Sequence, residues 1–125
     1  MSSVAAATRL LIIRHGETDW NAKRRIQGHT DIPLNAVGHQ QSRLLAQVLT
    51  DSPIHHVYSS DLLRAAETAE AIAAPHGAPV ARTPQLRERH FGAIEGSSFI
   101  DFEQHYPQDS LRWRKRDPAW EPPGG

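Results

Sequence analysis

The stretch Leu10-Leu11-Ile12-Ile13-Arg14-His15-Gly16-Glu17-Thr18-Asp19-Trp20-Asn21 decides how the rest of the chain is read. Leu10 to Ile13 is a short, wholly apolar run with two β-branched residues. Such a run predicts a strand buried on both faces. It stops at Arg14, and Gly16 supplies a residue that lets the backbone turn where a side chain would clash. Arg14 and His15 are then expected where a buried strand leaves the sheet, the end at which open α/β sheets bind ligands. Arg presents a planar fork of donors matched to phosphate oxygens. Neutral His is a nucleophile able to carry a covalent intermediate, and Arg, with its far higher pKa, does not compete for the proton. An isolated Arg–His pair reads more readily as a salt-bridging Arg beside a turn-capping His.

Downstream, residues 22–35 lack any period and carry Gly28, Asp31, Pro33 and Asn35, so they predict a loop folded over the mouth of the site. Asn35 is placed to cap a helix whose apolar face would be Val37, Leu44, Leu45, Val48 and Leu49, ending at Asp51–Pro53. Gly38 weakens only its first turn. Residues 55–60 predict a second strand around Val57 and Tyr58, with Asp61 as the next N-cap. Leu62, Ala65, Ala66, Ala69, Ile72 and Ala73 then repeat at helical spacing, and the many Ala imply close packing on a sheet. Arg64 in the first turn of that helix adds a cation where the helix end is already positive, so an anion there would gain from both. A surface pairing with Asp61 or Glu67 is the plainer alternative. Residues 79–83 predict a third strand. The order β-α-β-α-β argues for an α/β fold with a parallel sheet and crossover helices. Residues 99–106 and 111–114 predict short helices, and Asp117 onward is loop.

Three stretches together resemble the signature of the histidine phosphatase superfamily, the phosphoglycerate mutase-like proteins. They are Arg14-His15-Gly16-Glu17-Thr18 with Asn21, then Ser59-Ser60-Asp61-Leu62-Leu63-Arg64-Ala65-Ala66-Glu67-Thr68-Ala69, then Leu86-Arg87-Glu88 continuing to Ile94-Glu95-Gly96. They fall in the family's order and span nearly all of the chain from Leu10. The resemblance implies a three-layer α/β/α fold with a mainly parallel sheet. It implies that His15 becomes phosphohistidine, that Arg14 and Arg64 clamp the phosphoryl oxygens, and that Asn21 adds a neutral donor. Glu88 would protonate the leaving oxygen and then deprotonate water, with a salt bridge to Arg87 or Arg89 as its alternative; Glu17 and Glu95 are weaker candidates for that role. Arg25-Ile26-Gln27-Gly28-His29-Thr30-Asp31-Ile32-Pro33-Leu34 resembles the phosphatase branch, adding Gln27 and Gly28 to the phosphate-binding set, whereas mutases carry Phe-Thr-Gly-Trp. The implied activity is a metal-independent phosphomonoesterase with no cofactor, because two Arg supply the charge stabilisation that phosphoryl transfer requires. A phosphoglycerate mutase and a non-catalytic phosphate-binding fragment are the alternatives.

Composition bounds the rest. With 125 residues and no internal repeat, the chain predicts one domain. Cys is absent, which excludes a disulfide framework and a Cys-ligated metal and suits a reducing, cytoplasmic setting. Lys+Arg and Asp+Glu both number 14, so the basic excess of a nucleic-acid binder is missing. No apolar run approaches the roughly 20 residues a membrane span requires. The expected partner is a small phosphorylated substrate. Residues 1–8 predict a loose N-terminal tail and 9–125 the N-terminal portion of a single histidine phosphatase domain. The family's second catalytic His, at a strand end before Gly, has no counterpart here: apart from His15 itself, only His76 among the eight His precedes Gly, in loop context. The expected consequences are at least hundredfold lower turnover than a form with that His, and a sheet edge open to self-association.

Overall fold

The structure, a computed structural model, describes residues 6–125. Residues 1–5 of the expected tail lie outside the described residues; residues 6–8 are exposed and carry no regular structure. The elements are α1 (Asp19–Ala22), α2 (Ala36–Val48), β1 (Val57–Ser60), α3 (Leu63–Ala73), β2 (Val80–Thr83), α4 (Phe99–His105) and α5 (Pro107–Arg114). β1 and β2 pair in parallel, Val57 opposite Val80 and Ser60 opposite Thr83. The connecting helix α3 lies on them and is itself covered by α2. This is the mixed α/β architecture with a parallel sheet that the element order predicts.

The first predicted strand is corrected. Leu10–Ile13 forms no ladder and is not buried: Leu10 is 78% and Ile12 93% exposed. A strand buried on both faces needs a paired neighbour on an edge and a covering layer, and among the described residues neither reaches this run. The sheet therefore has two strands here, not three.

The face of α2 is also corrected. Val37, Leu44 and Val48 point outward, while Gly38, Ser42 and Ala46, spaced by four, are buried. Small residues on that stripe let α2 sit close to α3, where Ser42 Oγ comes within 3.5 Å of Thr68 Oγ1. Asn35 caps α2 as predicted, its Oδ1 accepting from the Gly38 N–H at 2.8 Å. Asp61 does not cap α3. The N-cap is Leu62, and the Leu63 N–H is taken by the Asp31 carboxylate at 2.7 Å, brought in from the loop. The Ala-rich stripe of α3 is as expected: Leu62, Ala66, Ala69, Ile72 and Ala73 are all buried.

A second core lies beyond β2. Ile26, Ile94, Phe102 and Trp120 are buried together, with Phe91, Tyr106 and Trp113 packed against them. Trp120 sits in the Pro/Gly-rich terminal loop yet is only 1% exposed. Its indole N–H donates to Asp109 at 2.8 Å, the partner a buried Trp requires.

Candidate active site

Two glycines let the His15 segment dock on α2. A Cβ on Gly16 would stand 2.6 Å from the Gly38 carbonyl oxygen, and a Cβ on Gly38 would strike the Glu17 carbonyl oxygen. Gly16 has no positive φ. The reason for glycine there is close approach, not the sharp turn the sequence suggests. Thr68 closes the arrangement: its Oγ1 accepts from the Gly16 N–H at 3.0 Å and donates to the Arg64 carbonyl at 2.8 Å. One hydroxyl thus ties the His15 backbone to the helix that carries Arg64.

His15 itself is half-buried, and its Nδ1 stands 2.7 Å from the Gly16 carbonyl oxygen. A carbonyl only accepts, so Nδ1 carries the proton and Nε2 keeps the lone pair. Burial holds the imidazole below its ordinary pKa, and the positive charges of Arg64 and Arg14 push the same way; the Gly16 hydrogen bond and Glu88 oppose them. The result is a neutral ring with a free Nε2, the form in which an imidazole has a lone pair to act as a nucleophile.

Arg64 is buried, at 2% exposure. Neither surface partner takes it: Asp61 pairs with Arg87, and Glu67 with His39. Its Nη1 donates to the Thr30 carbonyl at 2.9 Å and Nη2 to the Gly28 carbonyl at 2.6 Å, leaving its other N–H groups available. With Asp31 on the Leu63 N–H, the loop is tied to the first turn of α3 by both backbone and side chain. Gly28 sits at φ +57, where a Cβ would stand 2.5 Å from Glu95 Oε2, so only glycine fits.

Arg14, His15, Gln27, Gly28, Arg64 and Glu88 all line one cavity of about 420 Å³. Arg14 and His15 also face a smaller one of about 200 Å³ on the α2 side, whose other walls include Ser42, Leu45 and Thr68. The larger cavity is the candidate site, because it alone joins His15 to both Arg side chains and a carboxyl group. Glu88 lies exposed at its rim, with Oε1 accepting from the Arg89 N–H at 2.7 Å. Neither alternative ion pair forms, since Arg87 bonds Asp61 through two nitrogens at 2.6 Å each and Arg89 donates to the Trp120 carbonyl.

Asn21 is placed elsewhere. It forms a reciprocal cap with Thr18, Oδ1 accepting from the Thr18 N–H at 3.0 Å, and does not line the cavity. Gln27 does line it, with Oε1 accepting from Thr18 Oγ1 at 2.5 Å. The two weaker acid candidates are committed to structure. Glu17 Oε1 accepts from the Asn35 amide at 2.9 Å. Glu95 accepts from the Thr30 N–H and hydroxyl at 2.8 and 2.6 Å, and from the Phe91 and Gly92 N–H groups at 3.0 Å. Burial pushes the Glu95 carboxyl up, but those hydrogen bonds outweigh it and hold the group below the usual carboxylate range. Neither His76 nor His90 lines the cavity; His90 stacks on His29 with ring centres 4.6 Å apart. Sequence reasoning missed Thr68, whose only signal is its place in the second quoted stretch.

The comparisons decide the family. The model of the histidine phosphatase superfamily, branch 1, matches residues 10–125. The chain belongs to the histidine phosphatase superfamily. It is 42% identical over 118 residues to phosphoglycerate mutase-like protein 4 of Arabidopsis thaliana, covering 93% of this chain and 51% of that protein. It is 38% identical over 117 residues to a glucosyl-3-phosphoglycerate phosphatase of Mycolicibacterium vanbaalenii, covering 94% and 52%. Among solved structures, a mycobacterial glucosyl-3-phosphoglycerate phosphatase in complex with VO3 superposes with a TM-score of 0.81 at 35% identity, over 86% of this chain and 51% of that one. The chain spans about half the length of the relatives it matches. Among the described residues no helix is long and apolar enough to cross a membrane.

Proposed function

We propose that this chain carries the phosphohistidine-forming site of a phosphomonoesterase that works without a metal. The observation that supports it most is the His15 ring, with Nδ1 tied to a carbonyl oxygen and Nε2 free, in one cavity with two guanidinium groups and a carboxyl. In the first step Nε2 attacks phosphorus as the bond to the alcohol oxygen breaks, and Glu88 gives that oxygen its proton. In the second, water attacks the phosphoryl group, the P–N bond breaks, Glu88 takes the water's proton and phosphate leaves. Arg14 and Arg64 bind the equatorial oxygens, where charge spreads in the transition state. Glu88 thus regains in the second step the proton it gave in the first, and the cycle closes with no outside proton donor.

The Arabidopsis relative's name motivates a second reading, a mutase, which shares the first step and returns the phosphoryl group to another alcohol oxygen. Incubation with a phosphate monoester, an alkaline denaturing quench and intact-mass measurement before and after acid treatment test the shared step. The wild-type chain is expected to gain one acid-labile phosphoryl group and His15→Ala none. Label persisting on His15→Ala would overturn the assignment, and a wild-type chain that binds phosphate without being labelled would favour a non-catalytic binding role. Release of free phosphate rather than transfer to a second alcohol separates phosphatase from mutase.

A further inference from the structure

The cavity is lined by two chemically different groups. One is His15, Arg14 and Arg64; the other is Phe91, Phe99 and Trp113, which pack on one another. At about 420 Å³ it is far larger than a phosphoryl group needs, given that a water in the liquid occupies about 30 Å³. We propose that the alcohol half of the substrate is a flat apolar group, an aryl ester, seated against Phe91, Phe99 and Trp113. This rests on the phosphatase reading for the phosphate end.

The wall is built, not incidental. The Trp113 ring lies 5.6 Å from Phe91 and 5.5 Å from Phe99, both tilted against it. Behind it, Trp113 meets the buried Phe102 at 5.3 Å and stacks on the buried Trp120 at 6.0 Å with planes 12° apart. Phe91 is anchored through its N–H to Glu95 at 3.0 Å. A rigid aromatic surface receives another ring by offset or edge-to-face packing at little entropic cost. Phe99, at the start of α4, is nonetheless 50% exposed, so a large ring stands uncovered at the mouth among the described residues. Exposed apolar groups that cluster at a cavity mark a ligand contact.

The polar groups of the lining do not favour a sugar. Arg25 lines the cavity, but its Nη1 is engaged with the Gly96 carbonyl at 2.9 Å, and Gln27 has its Oε1 taken by Thr18. No Asp, Asn, Ser or Thr lines the cavity and Glu88 is assigned to proton transfer, so few groups remain to serve a row of hydroxyls, and an unserved hydroxyl loses affinity on leaving water.

The test is equilibrium binding of hydrolysis-resistant ligands to the 125-residue chain, read by tryptophan fluorescence and calorimetry. Phenylphosphonate is expected to bind about tenfold or more tighter than methylphosphonate. Phe99→Ala should reduce that ratio about threefold or more, and Trp113→Leu should do the same. Ile100→Ala, on the next residue of α4 and outside the cavity, should leave the ratio intact. Because Trp113 packs on the core, the exposed Phe99 position decides if the Trp113 variant fails to fold. Equal affinity for the two phosphonates would overturn the aryl pocket while leaving the phosphate site standing. A phosphonate analogue of a hexose phosphate binding tighter than phenylphosphonate would overturn it in favour of a sugar. No binding of either phosphonate or of vanadate would remove the phosphate site, and this proposal with it.

Discussion

The half of the molecule that holds the candidate nucleophile and the half that holds Trp120 keep their shape by different means. Around His15 the contacts are small and directional. Gly16 lies on Gly38, Ser42 lies near Thr68, Thr68 joins the Gly16 N–H to the Arg64 carbonyl, and Arg64 reaches two carbonyls of the 28–30 loop. Around Trp120 the contacts are broad and apolar, a cluster of Phe91, Phe102, Tyr106, Trp113 and Trp120 over Ile26 and Ile94. Hydrogen bonds set positions to a few tenths of an ångström but each adds only about 1 kcal/mol net. Apolar burial supplies more energy and tolerates more rearrangement. A site that must hold a nucleophile against phosphorus is therefore expected to rely on the first kind, and a supporting wall on the second.

The largest effect should come from the apolar half. Trp120→Ala removes a ring that is 1% exposed and opens a cavity among Phe102, Trp113 and Ile94, so a loss of about 3–5 kcal/mol is expected in urea unfolding. Trp120→Phe should recover much of it, because packing asks mainly for volume. A Trp120→Phe loss as large as that of Trp120→Ala would show that the indole hydrogen bond to Asp109, not volume, holds this half.

Next is Arg64→Ala. It removes a buried cation that carries two hydrogen bonds to the loop. Truncating one member of such a charge-assisted contact typically costs about 2–5 kcal/mol, so vanadate should bind about thirtyfold or more weakly. Arg114→Ala removes a side chain that pairs with Glu103 on the surface, worth about 0–1 kcal/mol, and should leave vanadate affinity unchanged. Equal affinities for the two variants would make Arg64 a loop anchor only.

Thr68→Val follows, with a nearly isosteric change that deletes the hydroxyl and leaves the buried Gly16 N–H without a partner. An unsatisfied buried donor costs about 1–3 kcal/mol. The expected signature is weaker vanadate binding together with the stability loss, and restoration of both by Thr68→Ser. Loss of stability with vanadate affinity intact would mean that the His15 backbone is held adequately by the two-glycine contact alone.

Much of this arrangement was legible in the sequence because its elements are periodic or specified by composition. The Ala stripe of α3, the strands β1 and β2 and the Asn35 cap follow from patterns that local physics enforces. Three features were not legible. Leu10–Ile13 has the composition of a buried strand, but pairing and burial depend on what lies beside it, which no run of apolar residues encodes. On α2 the apolar periodicity pointed to Val37, Leu44 and Val48, yet close packing against α3 selects the small residues Gly38, Ser42 and Ala46. Trp120 sits in Pro- and Gly-rich loop composition, where only a tertiary contact reveals a core residue. At the site the motifs identified Arg14, His15, Arg64 and Glu88 as residues of one cavity, while the Asn21 side chain completes the capping box of α1 with Thr18 and the role of Thr68 carried no pattern of its own.

The smallest and most specific effect is a pH shift at His15. Burial, with Arg64 and Arg14 adding to it, holds the imidazole pKa below the ordinary His value. A ring whose folded pKa is depressed binds its proton more weakly than the unfolded chain does. Stability from this group is therefore present above the unfolded value, about 6.5, and declines as pH falls below it toward the folded pKa. The same displacement keeps Nε2 unprotonated below pH 6.5, so phosphohistidine formation should lose its rate at a pH below that of a free imidazole. Arg64→Gln removes one of the two positive charges and should move that acidic limb upward, toward 6.5, at any residual rate. The pH dependence of labelling in single-turnover experiments, or a histidine NMR titration of the unliganded chain, reads the shift directly. An acidic limb that stays in place in Arg64→Gln would assign the depressed pKa to burial and Arg14 and remove the charge of Arg64 from the account of how His15 is kept neutral.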